Sequence, residues 1–139
     1  MVTGTDLWNE LEARFCKKDW AGLASLYAED AVHVDPVGRH EGRDAIGSYW
    51  EEFGAPFSDM SFPASLLIEQ GDTVVAEYVF RATLTGALTM PDGRVVPPGP
   101  SEEIPCVTII EVRDGKLVSQ RDYFDLVIGM TQLGLMPGP

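Results

Sequence analysis

Apart from one short alternating stretch at residues 31–37, the hydrophobic pattern of this chain changes period at Pro56, and that change constrains the fold more than any other feature. Before it, apolar residues recur every three or four positions, the spacing of one helical face; after it they alternate, as on a strand with one buried side. Helices followed by strands define an α+β chain in which the sheet buries its apolar face against the helices. With 139 residues, 45% of them hydrophobic and 23% charged, the chain can bury a full core, and no repeat, linker or low-complexity stretch divides it. Residues 1–139 are therefore read as one domain.

Three helices are expected in the first half. Leu7, Trp8, Leu11 and Phe15 define one over about 5–17, with Thr3 or Thr5 as N-cap. Asp19 caps a second, carried by Trp20, Leu23 and Tyr27. Ile46, Tyr49, Trp50 and Phe53 define a third. Between them, residues 31–37 alternate as a strand that ends in the turn Asp35-Pro36-Val37-Gly38. After Pro56, strands are expected at about 58–69, 73–86, 103–112 and 116–126, joined by Gln70-Gly71-Asp72, by a longer Pro- and Gly-rich excursion ending at Pro100, and by Arg113-Asp114-Gly115. The excursion is a candidate lid or edge feature. The apolar tail from Leu126 to Leu135 is expected to cover the open end of the sheet or a partner subunit.

Composition excludes several function classes. A formal net charge of -12 opposes a phosphate backbone, so no nucleic acid partner is expected. Residues 1–20 lack the apolar core of a signal peptide, and no apolar run approaches the roughly 20 residues that span a bilayer, so the expected location is cytoplasmic, away from the membrane. Cys16 and Cys106 read as two buried free thiols. There is no phosphate-binding glycine loop, paired-cysteine motif or His-x-x-x-His, so no cofactor and no metal are expected, and acid/base chemistry remains.

Strand parity shows where such chemistry would sit. Val74, Ala76, Tyr78, Phe80, Ala82 and Leu84 form an apolar row, matched by Ile104, Cys106, Thr108 and Ile110, which leaves Glu103 and Glu111 outside. On the last strand Gln120, Asp122 and Phe124 share a face. A carboxyl projecting into an apolar hollow loses hydration, which moves its titration toward the range of a working acid or base. Asp122 is the candidate for that role, with Asp35 facing it across the hollow and His33 bonding to either; two nearby carboxyls resist ionising together. The candidate substrate contacts are Tyr78, Phe80, Gln120, Phe124, Thr108, Cys106, Trp50 and Phe15. Plainer readings stand beside these. Asp35 is also a turn former, Asp122 a strand residue paired on an outer face, His33 a satisfied core histidine, Tyr78 plain packing, and Phe15, Trp20 and Trp50 ordinary core.

Four segments carry a resemblance: Tyr27-Ala28-Glu29-Asp30-Ala31 leading to Asp35-Pro36-Val37-Gly38, Gly42-Arg43-Asp44-Ala45-Ile46, Gly115-Lys116-Leu117, and Arg121-Asp122-Tyr123-Phe124-Asp125. With these the chain resembles the NTF2-like superfamily, in particular its SnoaL-like polyketide cyclases, with the limonene-epoxide hydrolases and ketosteroid isomerases as relatives. The resemblance implies a cone of three N-terminal helices packed in a curved, mostly antiparallel sheet. Asp35 matches the isomerases' proton-shuttling aspartate, in a family that serves as a standard example of carboxyl tuning. Their oxyanion donors, however, are replaced by Phe15 and Thr108. Asp122 is similar to the acid/base aspartate of the hydrolases and cyclases, while the hydrolases' arginine and second aspartate read Tyr78 and Phe80, and their water-holding tyrosine and asparagine read His33 and Asp35. Gln132-Leu133-Gly134-Leu135 favours the cyclases. The resemblance thus implies a cofactor-free cyclase or isomerase acting on a small hydrophobic polyketide- or terpenoid-type carbonyl compound. An epoxide hydrolase and a non-catalytic binder of a small hydrophobic ligand are the alternatives. A homodimer is expected from the resemblance and from outward apolar residues such as Val107 and Ile109.

Overall fold

The computed structural model describes residues 2–136. Helix α1 spans Gly4–Cys16 and begins where Thr3 and Asp6 cap each other: the Thr3 hydroxyl accepts from the Asp6 N–H, and the Asp6 carboxylate accepts from the Thr3 N–H. Its buried face is Leu7, Trp8, Leu11 and Phe15, as the spacing predicts. Helix α2 is shorter than expected. It spans only Trp20–Ala24, capped by Asp19, so two helices of note, not three, occupy the N-terminal half. The reason is tertiary: Tyr27, which has helical spacing with Leu23, pairs with Leu117 as the first residue of strand β1 (Tyr27–Val34). Strand pairing overrides a local pattern too short to nucleate a helix by itself.

Strand β1 reverses at Asp35-Pro36-Val37-Gly38 into β2 (Arg39–Glu41), a three-residue strand the pattern did not disclose. Helix α3 (Arg43–Gly54) follows. The strand expected at 58–69 is two strands, β3 (Phe57–Ser61) and β4 (Ala64–Gln70), which pair with successive stretches of β5 (Thr73–Leu84). Pro63 lies in the break and has no N–H to continue a ladder. The Pro- and Gly-rich excursion contains a small hairpin, β6 (Leu88–Thr89) and β7 (Val95–Val96). Strands β8 (Ser101–Arg113) and β9 (Lys116–Phe124) form the long hairpin, and α4 (Leu126–Gln132) closes the described chain.

The main sheet runs β2-β1-β9-β8-β5-β3, with β4 also on β5. All its pairs are antiparallel except β1 with β9, which are parallel. A register shift at Val112 brings both Leu117 and Gln120 of β9 to the helix-facing side. That face carries the core: Val74, Ala76, Leu84, Ile110 and Leu117, with Tyr27 of β1, pack with Trp8, Leu23 and Ile46 of the helices. The two cysteines are free, with Cys106 buried and Cys16 only half-buried. Among the described residues no helix is long and apolar enough to cross a membrane.

Candidate active site

Between the helices and the sheet lies a cavity of about 370 Å³, walled by α1, α3 and the inner face of β5, β8 and β9. Its mouth is framed by the 88–96 hairpin, through Leu88 and Met90, and by α4, through Leu126, Met130 and Leu133. The excursion and the apolar tail thus do what their composition suggested. Gln132 fixes α4 to β8, its side chain accepting from the Glu103 N–H and donating to the Glu103 carbonyl. Arg94 reaches from the hairpin to the Leu135 carbonyl. Phe15, Trp50, Tyr78, Phe80, Cys106, Thr108, Gln120, Asp122 and Phe124 all line the hollow.

Asp122 is the centre of its polar wall. Register places Thr108 directly opposite on β8, and the Thr108 hydroxyl donates to Asp122 Oδ1 at 2.6 Å while accepting from the Tyr78 hydroxyl at 2.7 Å. Gln120, two residues earlier on the same face, donates from Nε2 to both carboxylate oxygens at 3.1 and 3.2 Å. The Gln120 carbonyl accepts in turn from Tyr27, whose hydroxyl accepts from Trp50 Nε1 at 3.3 Å. From β1, His33 Nε2 lies 2.7 Å from Asp122 Oδ2. Three separate donors therefore converge on one carboxylate that is 6% exposed, and they fix its orientation toward the hollow.

His33 is fully buried and belongs to this wall without lining the cavity. It stands opposite His40 in the β1–β2 ladder, and the two Nδ1 atoms are 3.2 Å apart. The two rings thus share one Nδ1–H···Nδ1 bond, while His33 Nε2 faces Asp122. His40 is half-buried and stacks on Tyr49 at 3.9 Å between ring centroids.

Asp35 departs from the sequence reading. It does not face Asp122 across the hollow and does not line it. Its Oδ1 accepts from the Val37 and Gly38 N–H groups, at 2.8 and 3.0 Å, and its Oδ2 accepts from the Tyr49 hydroxyl at 2.6 Å. The turn-former reading describes these contacts. Asp35 nevertheless sits near the cluster, with Oδ2 3.7 Å from His33 Nε2. His33, Asp35 and Asp122 each offer a donor atom within 4.8 Å of the other two, a set with metal-ligating chemistry that no sequence spacing revealed. Each of those atoms is already engaged by protein partners.

Burial holds the nearby phenols in their protonated, donating form. Tyr27 and Tyr78 are pushed well up by desolvation and then by the Asp122 charge, and Tyr49 by desolvation and then by its bond to Asp35. The Cys106 thiol is pushed up to about 11, again by burial first, so it lines the wall as an apolar group. Burial and the neighbouring His33 pull His40 down.

Sequence reasoning passed over four residues of this region. Tyr27 is expected in a helix, Tyr49 on a packed helical face, and His40 has no expected role. Glu102 was not considered, although the parity that picked out Ile104, Cys106 and Thr108 places it on the same face.

The family model of the SnoaL-like domain matches residues 8–120. The chain is 28% identical over 124 residues to the uncharacterized protein YesE of Bacillus subtilis (strain 168), across 84% of this chain and 77% of that one. Among solved structures it is similar to IdmH of Streptomyces antibioticus, a candidate polyketide cyclase, at 28% identity and a TM-score of 0.76, over 94% of this chain and 97% of that one. A second candidate polyketide cyclase, from Pseudomonas putida KT2440, superposes with a TM-score of 0.82 at 19% identity, over 95% and 98% of the two chains. A protein of ketosteroid isomerase-like fold from Catenulispora acidiphila DSM 44928, solved in complex with trimethylamine, does so with 0.78 at 23% identity, over 97% and 96%. The architecture is accordingly an α+β, NTF2/ketosteroid isomerase-like fold with a curved open sheet.

Proposed function

The chain belongs to the SnoaL-like domain family, and from that premise we propose that it is a cofactor-independent cyclase or isomerase that uses Asp122 as acid and base on a small, largely hydrophobic carbonyl compound of polyketide or terpenoid type. One observation carries this reading: a carboxylate fixed by three donors opens onto an otherwise largely apolar cavity of about 370 Å³, with a short bond to a fully buried histidine behind it. Such a hollow takes up a hydrophobic molecule and excludes water, which strengthens every electrostatic contact inside it.

In this reading Asp122 removes a proton from the carbon beside the substrate carbonyl, and the C–H electron pair becomes an enolate. In a cyclase that pair forms a carbon–carbon bond to a second carbonyl of the same molecule. The alkoxide so produced takes the proton back from Asp122. In an isomerase the proton returns to a different carbon. Gln120 and Thr108 hold the carboxylate in position, while the Tyr78 phenol donates to Thr108 and the Tyr49 phenol to Asp35, which fixes both rings in the wall. His33 and His40 join Asp122 in a chain of three groups leading to a half-buried ring, a route by which the carboxyl can exchange its proton. Asp35 holds Tyr49 and the turn; its part is positioning.

The test is exchange of the acidic protons of an apolar diketone such as benzoylacetone for deuterium, followed by NMR. Asp122→Asn is expected to lower the enzyme-dependent rate by about 10²- to 10⁴-fold with folding intact. An unchanged rate in that variant removes Asp122 from the chemistry. The competing reading is a ligand-binding module, favoured by the fact that the Asp122 oxygens already have internal partners. Binding without any exchange in the wild type decides for it.

A further inference from the structure

Glu102 is an inward-facing carboxyl that the chemistry above leaves unused. It lines the cavity on β8 and is only 6% exposed. Among the described residues its carboxyl has neither a hydrogen-bond donor nor a basic partner, unlike Asp122. Among the described residues no fully enclosed side-chain polar atom lacks a partner, so the unpaired Glu102 oxygens are not sealed off, and the residue lines the hollow. The fold makes room for them. A β-carbon at position 129 would stand 3.1 Å from Glu102 Oε2, and glycine there leaves a notch under α4 that the carboxyl occupies.

Its location is informative. Glu102 precedes Thr108 by six residues on one strand, about 20 Å along an extended chain, and Thr108 stands opposite Asp122. The two carboxyls line one cavity, separated by that length of strand. The remaining charged lining residue is Glu52, and among the described residues no arginine, lysine or histidine lines the cavity itself. A lining whose formal charges are all negative, with aromatic rings such as Phe53, Phe57 and Phe80 between them, repels an anionic ligand and attracts a cationic one.

We propose that Glu102 is the recognition site for a protonated amine, so that the ligand is a hydrophobic molecule with a basic nitrogen seated on Glu102 and its reacting end on Asp122. The placement of the reacting end rests on the function proposed above; the amine site does not. Burial pushes the Glu102 carboxyl up to about 7 with no charged neighbour contributing, which is the behaviour of a group still lacking its counter-ion. At pH 7 the folded chain already bears part of the cost of ionising Glu102, and an arriving ammonium, which gives up its own hydration, gains a charge-assisted bond to the carboxylate.

Three probes of equal length test the assignment: octylamine, 1-octanol and octanoate, titrated at pH 7 against the fluorescence of Trp8 and Trp50, which line the cavity. Octylamine is expected to bind about tenfold or more tighter than octanol, and octanoate weakest. Glu102→Gln brings octylamine to the level of octanol and leaves octanol within about twofold. Asp122→Asn keeps the amine preference. Equal binding of amine and alcohol by the wild type overturns the assignment, and this comparison needs no variant. So does an amine preference that survives Glu102→Gln or disappears in Asp122→Asn. Deuterium exchange, measured separately, reports on Asp122 alone: lost exchange in Asp122→Asn without any amine preference retires the Glu102 site and keeps the acid/base reading, and the converse retires the latter.

Discussion

Replacing Glu102 by glutamine should make the protein more stable, and only above a definite pH. In the folded chain burial raises this carboxyl to about 7 from an ordinary 4.5. Below 4.5 both folded and unfolded chains hold the proton, so glutamate and its neutral isostere behave alike. As pH rises from 4.5 to about 7 the unfolded chain releases the proton while the folded chain retains it, so the wild type loses stability across that window. Above 7 the penalty is complete and constant. That interval, at about 1.4 kcal/mol per pH unit, corresponds to on the order of 3 kcal/mol. In a domain of this size the same difference is worth roughly 10 °C in Tm. Urea unfolding of both proteins at pH 4.5 and pH 8 measures it. The gap between variant and wild type is expected to be near zero at the lower pH and to open by about 3 kcal/mol at the higher one, while the other titrating groups, common to both proteins, cancel. A gap that stays constant would mean that Glu102 ionises as it does in water, and the reasoning that places it unpaired in a dry hollow would be wrong.

Other perturbations address the polar wall and the surface. Thr108→Val removes the hydroxyl between Tyr78 and Asp122 and should cost about 1–3 kcal/mol and at least tenfold in exchange rate, with Thr108→Ser restoring both; an unperturbed rate would show that the Asp122 orientation does not depend on β8. His40→Phe keeps a ring on Tyr49 but deletes the bond to His33, so exchange should slow at low buffer concentration and recover with added imidazole; a rate independent of buffer would exclude the two-histidine route. On the sheet face away from the helices, half-buried Val107 and Ile109 lie beside Tyr123, which is 54% exposed, and we expect that surface to be covered in a homodimer. Light scattering should give twice the monomer mass, and Tyr123→Glu should halve it; a wild-type monomer refutes the expectation.

Local pattern was sufficient wherever one neighbour decided the structure. Alternation over Thr73–Leu84, Ser101–Arg113 and Lys116–Phe124 located the three long strands to within a few residues and put Phe80, Cys106, Thr108, Gln120 and Asp122 on the inner side, because side-chain direction follows from parity alone. Helical spacing located α1 and α3 for the same reason. Pairing decided the rest. Tyr27 left its helix to pair with Leu117, Pro63 divided one strand into two, and the three residues of β2 exist only as a partner for β1.

The candidate site divides along the same line. That Asp122 looks into an apolar space was legible in the sequence. The bond from His33 and the turn-forming role of Asp35 were among the readings it offered; that His40 stands behind His33 and that Asp35 also accepts from Tyr49 were not legible. Contacts of that kind are set by which strands lie side by side, in what register and with which bulges, and a periodicity read along one segment contains no information about its offset from another.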